Sequence, residues 1–172
     1  GASVELFVNG KSMGRQEIDH AHGRKLLGDW QVPYEPGTIT AVAYDKEGRE
    51  IARDSRNSFG DSERIVLSVD KTTLLADGKD MCFVTIQTLD KEGRVVENAA
   101  DYVEVSVQGA GRLLGLDNGD STDYDAYKGK VRKLFSGKLL AVIGSTLEAG
   151  EIVVTVSSKR LQGAEVRLMA ER

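Results

Sequence analysis

Residues 115–129 read GLDNGDSTDYDAYKG, so that Asp117, Asn118, Asp120, Asp123 and Asp125 carry side-chain oxygens one to three positions apart. Two kinds of chemistry use such a run. A divalent cation needs several oxygen ligands within one loop, and acid–base catalysis needs two carboxylates held near each other. The helix-flanked calcium loop puts ligands at alternate positions, a glycine sixth and a bidentate glutamate twelfth. Counted from Asp117, the third residue is Gly119, the sixth Thr122 and the twelfth Lys128, so that pattern fails at each place. An irregular calcium site on Asp117, Asn118 and Asp120 remains as a candidate. The plainer expectation is a structural loop, with Asn118-Gly119 turning at its tip. Lys128, Lys130, Arg132 and Lys133 follow as counterions, in exposed pairs that contribute about 0–1 kcal/mol each. As a catalytic pair the run has almost no specificity, because any acid-rich loop supplies two carboxylates.

Other candidates are thinner. Asp19, His20 and His22 could offer imidazoles to zinc, but zinc takes three or four ligands at defined spacing, and a loop is expected here. Cys82 is the sole cysteine, which excludes an internal disulfide, and in CFVTIQTL its thiol reads as a small buried apolar group.

The elements that must position these residues are strands. TITAVAY (38–44), FVTIQTL (83–89), YVEVSV (102–107), EIVVTVSS (151–158) and AEVRLM (164–169) alternate with a period of two. In YVEVSV, Val103, Val105 and Val107 face one way, and Tyr102, Glu104 and Ser106 the other. The best helical window, DHAHGRKLLGD (19–29), is interrupted by Gly23 and Gly28. Asn9-Gly10 after VELFV suits a two-residue hairpin. DKEGR occurs at 45–49 and again at 90–94, and reads both times as a turn that Asp opens and Gly closes. The chain is therefore expected to be all-β. A polar run, NSFGDSER (57–64), suggests a boundary, with a small module over 1–61 and a larger sandwich over 62–172.

Among 172 residues, 40% are hydrophobic and 29% charged, which suits a folded protein, and 19 glycines against 2 prolines suit many tight turns. The net charge of −4, with no gathered basic stretch, excludes a nucleic-acid phosphate backbone as partner. The longest apolar run, LLAVI (139–143), is too short for a helix across a bilayer, so no membrane insertion is expected. The chain reads as a fragment that starts within a strand.

Two segments carry more than class information. VELFVNGKSMGRQ with WQVPYEPGTITAVAYDKEGREIARD resembles an accessory module of glycoside hydrolase family 2, the kind that follows the catalytic barrel in β-galactosidase-like enzymes. LSVDKTTLLADGKDMCFVTIQTLDKEGRVV and GRLLGLDNGDSTDYDAYKGKVRKLFSGKLLAVI resemble the immunoglobulin-like domain that comes next. The resemblance implies two immunoglobulin-like β-sandwich modules in tandem, the first lacking its N-terminal strand and so exposing a sheet edge. That edge is expected to be covered by the second module, a neighbouring chain or further residues. The resemblance also implies a non-catalytic role in stiffening the enzyme's tail, with the parent's barrel and neighbouring domains as partners and no cofactor. The family's two catalytic glutamates sit on a (β/α)₈ barrel, which takes about 250 residues and has no counterpart in this sequence.

Carbohydrate binding is the alternative, and an adhesion-type immunoglobulin-like domain is another. Trp30, Tyr34, Tyr124 and Tyr127 are the rings that could stack on a sugar. Trp30, Val32 and Tyr34 are spaced to share a face, and the single Trp is expected in the first module's core. Of compartments, the periplasm or exterior of a bacterium is favoured over the cytoplasm.

Overall fold

The computed structural model describes residues 2–172 except His20 and Arg24. The chain divides into two compact units, Gly1–Ser58 and Phe59–Arg172.

The first unit holds β1 (Ser3–Val8), β2 (Lys11–Glu17), β3 (Thr38–Tyr44) and β4 (Glu50–Asn57) in one antiparallel sheet ordered β2-β1-β3-β4. Asn9 (φ 51°) and Gly10 (φ 80°) make the tight hairpin between β1 and β2, where the strand twist requires positive φ at both positions. Leu6 and Val8 point to one face and are buried. On that same face Gln16 ties the segment between β2 and β3, donating to the Asp29 carbonyl and accepting from the Asp29 N–H at 3.2 Å. The sequence suggested facing sheets here, whereas the described residues of this unit form one sheet and the segment between β2 and β3 is irregular. Gly23, Gly28, Pro33, Pro36 and Gly37 explain why: they deny residues 18–37 a continuous run in either regular conformation. On the opposite face Val42 is fully buried, and the Arg15 guanidinium lies 3.6 Å over the neighbouring Tyr44 ring.

The second unit is a two-sheet sandwich. One sheet contains β5 (Arg64–Val69), β7 (Met81–Leu89), β9 (Gly111–Asp117) and β11 (Leu139–Ser145), ordered β5-β7-β11-β9. The other contains β6 (Thr73–Leu75), β8 (Tyr102–Gly109), β10 (Val131–Lys133), β12 (Gly150–Ser157) and β13 (Ala164–Glu171), ordered β10-β8-β12-β13-β6. All neighbours are antiparallel except β13 with β6, which run parallel with Met169 opposite Thr73. The alternating valines do what their period dictates. Val84, Ile86, Ala141 and Ile143 from one sheet, with Val103, Val105, Ile152 and Val154 from the other, are at most 1% exposed. Burying each large side chain among them contributes about 1.5–3 kcal/mol. Cys82 lies within this core, and burial pushes its thiol up to about 11, so it stays protonated at neutral pH.

The chain crosses between the sheets within a single residue, Ala110, between β8 and β9. Gly109 makes this corner possible. Its φ is +83°, and a β-carbon there would fall 2.1 Å from the Glu151 carbonyl oxygen.

Candidate functional site

The acidic loop between β9 and β10 is built around one buried cation. Arg132 is the middle residue of β10 and is 0% exposed. Its Nε donates to Asp123 Oδ2 at 3.2 Å and its Nη1 to the Leu116 carbonyl at 3.1 Å. The guanidinium carbon sits 4.5 Å above the centre of the Tyr127 ring, a cation–π arrangement. Asn118, also buried, donates from Nδ2 to Asp123 Oδ2 at 2.7 Å and to the Lys133 carbonyl at 3.1 Å.

The remaining oxygens serve the loop's own backbone. Asp117 accepts from the Gly119 N–H, Asn118 Oδ1 from Asp120 N–H, and Asp120 from both the N–H and the hydroxyl of Thr122. Asp123 Oδ1 accepts from the Asp125 N–H, and Lys133 Nζ lies 3.9 Å from Asp120. These are successive side-chain-to-backbone turns. The Thr122 hydroxyl and N–H hold the Asp120 carboxyl below the usual range, and the Asp125 N–H, then Asn118 and Arg132, do the same for Asp123. A catalytic acid must hold its proton near neutral pH, and these two carboxyls are shifted away from that.

The candidate ligands Asp117, Asn118 and Asp120 are thus adjacent, but their arrangement is a hydrogen-bonded turn series. No cluster of three or more His, Cys, Asp or Glu suited to a metal occurs among the described residues. Of the expected counterions, Arg132 and Lys133 pair with loop carboxylates, at Asp123 and Asp120, and the Arg132–Asp123 pair is buried, at 0% and 5% side-chain exposure, where surface pairs were expected. The burial of Arg132 was not legible in the sequence, because β10 is only three residues long and the partners of Arg132, Asp123 and Leu116, are brought to it by tertiary folding.

The first unit's aromatic candidates lie outside its sheet. The segment from Gly28 to Glu35 is not a strand. Trp30 and Val32 are half-buried, so the tryptophan is less enclosed than expected, while Tyr34 is 81% exposed. The Trp30 indole folds back over Gly28, where a β-carbon would come within 2.5 Å of the ring. His22 pairs with Asp19 at 2.9 Å, and His20 lies outside the described residues. Both DKEGR turns behave alike: Asp45 accepts from Arg49 N–H and Asp90 from Arg94 N–H, with Gly48 and Gly93 at φ near +80°.

One surface feature was not singled out in the sequence. An open groove of about 850 Å³ in the second unit is lined by Tyr102, Glu104, Val131 and the Asp101–Arg160 pair, which meet at 3.0 Å. An exposed ring beside a carboxylate and a guanidinium can accept a hydroxyl-bearing ligand. Alternation in YVEVSV places Tyr102 outward, but the approach of Arg160 depends on tertiary folding.

Comparison with known proteins fits this architecture to a larger frame. Residues 65–167 match the model of glycoside hydrolase family 2 C-terminal domain 5, and residues 1–52 match a domain of unknown function. A β-galactosidase of Bacteroides ovatus is 38% identical over 170 residues, covering 98% of this chain and 19% of that protein. The solved structure of a glycosyl hydrolase family 2 member from Bacteroides cellulosilyticus superposes with a TM-score of 0.93 at 33% identity, over 99% of this chain and 22% of the other. A β-glycosidase structure from Bacteroides vulgatus gives 0.87 at 30% identity, over 98% and 21%. The chain spans about a fifth of the length of these relatives.

Proposed function

The chain belongs to glycoside hydrolase family 2, and from that premise we propose that it is a non-catalytic C-terminal accessory region of a β-galactosidase-like enzyme. Its work is to pack on the parent enzyme and stiffen that part of it. The observation that carries this reading is the match of residues 65–167 to the family's C-terminal domain, within a chain that aligns almost end to end with a fifth of its relatives.

The chemistry of the acidic loop supports the same reading. Retaining glycosidases set two carboxyl groups about 5 Å apart, one of them holding a proton for the leaving group. Here the best carboxylate cluster is turned onto its own backbone N–H groups and stabilised as ionised. The loop's design is that of a self-supporting structural element, with Arg132 as its centre.

Assay of the 172-residue chain on a chromogenic β-galactoside tests the proposal. Hydrolysis no faster than the uncatalysed background is expected; turnover near 1 s⁻¹ or above, the ordinary enzyme range, would overturn it.

A further inference from the structure

The groove beside Tyr102, on the outer face of the β10-β8-β12-β13-β6 sheet, brings unlike side chains together. Val103 and Val105 go inward, so Tyr102 and Glu104 go out, two positions apart on one face of β8. Strand pairing sets what stands next to them. Glu104 has Val131 of β10 opposite it on one side and Ser157 of β12 on the other. Tyr102 is 57% exposed and Val131 49%, so a ring and an aliphatic side chain form an apolar floor. The polar rim is fixed from below. Leu134, fully buried, donates its N–H to the Asp101 carbonyl at 3.0 Å, which fastens residue 101 to the core. The Asp101 carboxylate, at 11% side-chain exposure, accepts from Arg160 Nη2 at 3.0 Å, so a guanidinium that is 83% exposed is nonetheless held in place.

Each property narrows the ligand. An exposed aromatic ring with an aliphatic neighbour takes the flat C–H face of another ring. Around it stand the acceptors Asp101 and Glu104, the donors Lys159 and Arg160, and the Ser157 hydroxyl, which can do both. The two carboxylates and two cations among these lining residues balance, and Lys133, opposite Tyr102, is turned to Asp120 at 3.9 Å. A phosphate or a nucleic acid would call for an excess of cations. A volume of about 850 Å³ is in the range that receives small ligands. An uncharged molecule with an apolar ring face and an edge of hydroxyls that donate and accept is a sugar.

We propose that this groove binds a neutral oligosaccharide, with one sugar ring on Tyr102 and its hydroxyls hydrogen-bonded to Glu104 and to the Asp101–Arg160 pair. Because Asp101 already orders the guanidinium, little side-chain freedom is lost on binding. That the sugar is a β-galactoside rests on the accessory-region reading: a second foothold on the substrate raises its effective concentration at the parent enzyme. The groove's preference for a neutral sugar stands without that reading.

The test is an NMR titration of the nitrogen-labelled chain with a β-linked galactotetraose and, separately, with cellotetraose. Amide signals of residues 100–104 and 157–160 are expected to move together and to saturate at millimolar galactotetraose. Tyr102→Ala is expected to weaken binding about ten-fold, and Tyr102→Phe, which keeps the ring, to stay within about two-fold of the native chain. Tyr102 is exposed, so both variants keep the core intact. No saturable shift with either sugar overturns the site, as does equal affinity of the native chain and Tyr102→Ala. The same amides moving as far with inorganic phosphate makes it an anion site and also overturns it. Saturation by cellotetraose alone keeps the groove and removes the β-galactoside. The chromogenic assay is scored separately: turnover there refutes the accessory reading and leaves the groove standing, and a silent assay with no sugar shifts does the reverse.

Discussion

Several aspartates in this chain act as local anchors for backbone N–H groups, and the repeated pentapeptide shows how context changes their weight. Asp45 and Asp90 both accept from the arginine four residues on, yet only Asp90 is buried, at 1% exposure, because its second oxygen also takes the Gly60 N–H. The Gly60 N–H foremost holds Asp90 below the usual carboxylate range, as the Arg49 N–H does Asp45 and the Lys71 ammonium does Asp80. Asp120 and Asp123 join them. Unfolded, each returns to a value of about 3.9, so these contacts contribute fully above that pH and are lost as pH falls through the lower folded values. The urea midpoint is expected to hold from about pH 7 to 5 and to drop between about pH 4 and 2. A flat midpoint across the acid range would contradict this. The turn role of both aspartates could be read from DKEGR, but the burial of Asp90 could not, since its partner lies thirty residues away in sequence.

At the scale of elements, the corner at Gly109 and the loop tip at Gly119 form a natural comparison. Both glycines have positive φ, +83° and +73°, but a β-carbon meets the Glu151 carbonyl at the first and open space at the second. Gly119→Ala should cost only the backbone penalty of about 1–2 kcal/mol. Gly109→Ala should cost clearly more, because the strand neighbour must move as well, and urea unfolding of the two variants reads the difference. Equal losses would mean the corner has slack. The legible strands β7, β8, β12 and β13 each have one buried face, which writes a clean alternation, whereas β3 was legible from its sequence period although only Val42 is buried. In β9 the adjacent Leu113 and Leu114 face opposite ways across an irregularity where Val142 and Ile143 meet Gly115 and Leu113, and the period is lost. Strands of three residues, β6 and β10, are too short to show a period at all.

For the molecule as a whole, the two units differ in how much core they own. The first buries Leu6, Val8 and Val42, and β4 is exposed along its full length, whereas the second has a continuous two-sheet core. Native-state hydrogen exchange should therefore show the amides of β1 and β3 opening before those of β7, β8 and β12, since local stability follows buried apolar contact. Matching protection in both sets would show that the small sheet draws stability from elsewhere. The sequence conveyed the all-β class through its alternation. It conveyed less of the first unit, where glycine and proline dissolve the pattern that would have shown how the segment between β2 and β3 lies.

The lane in which β13 lies between β12, antiparallel to it, and β6, parallel to it, has a bearing on biosynthesis. Residues 73–75 wait, with the far half of their hydrogen-bonding edge vacant, until residues 169–171 have left the ribosome. Closure of that sheet is thus a late event during translation, and a nascent chain stalled before residue 164 presents two raw strand borders to whatever chaperone is at hand.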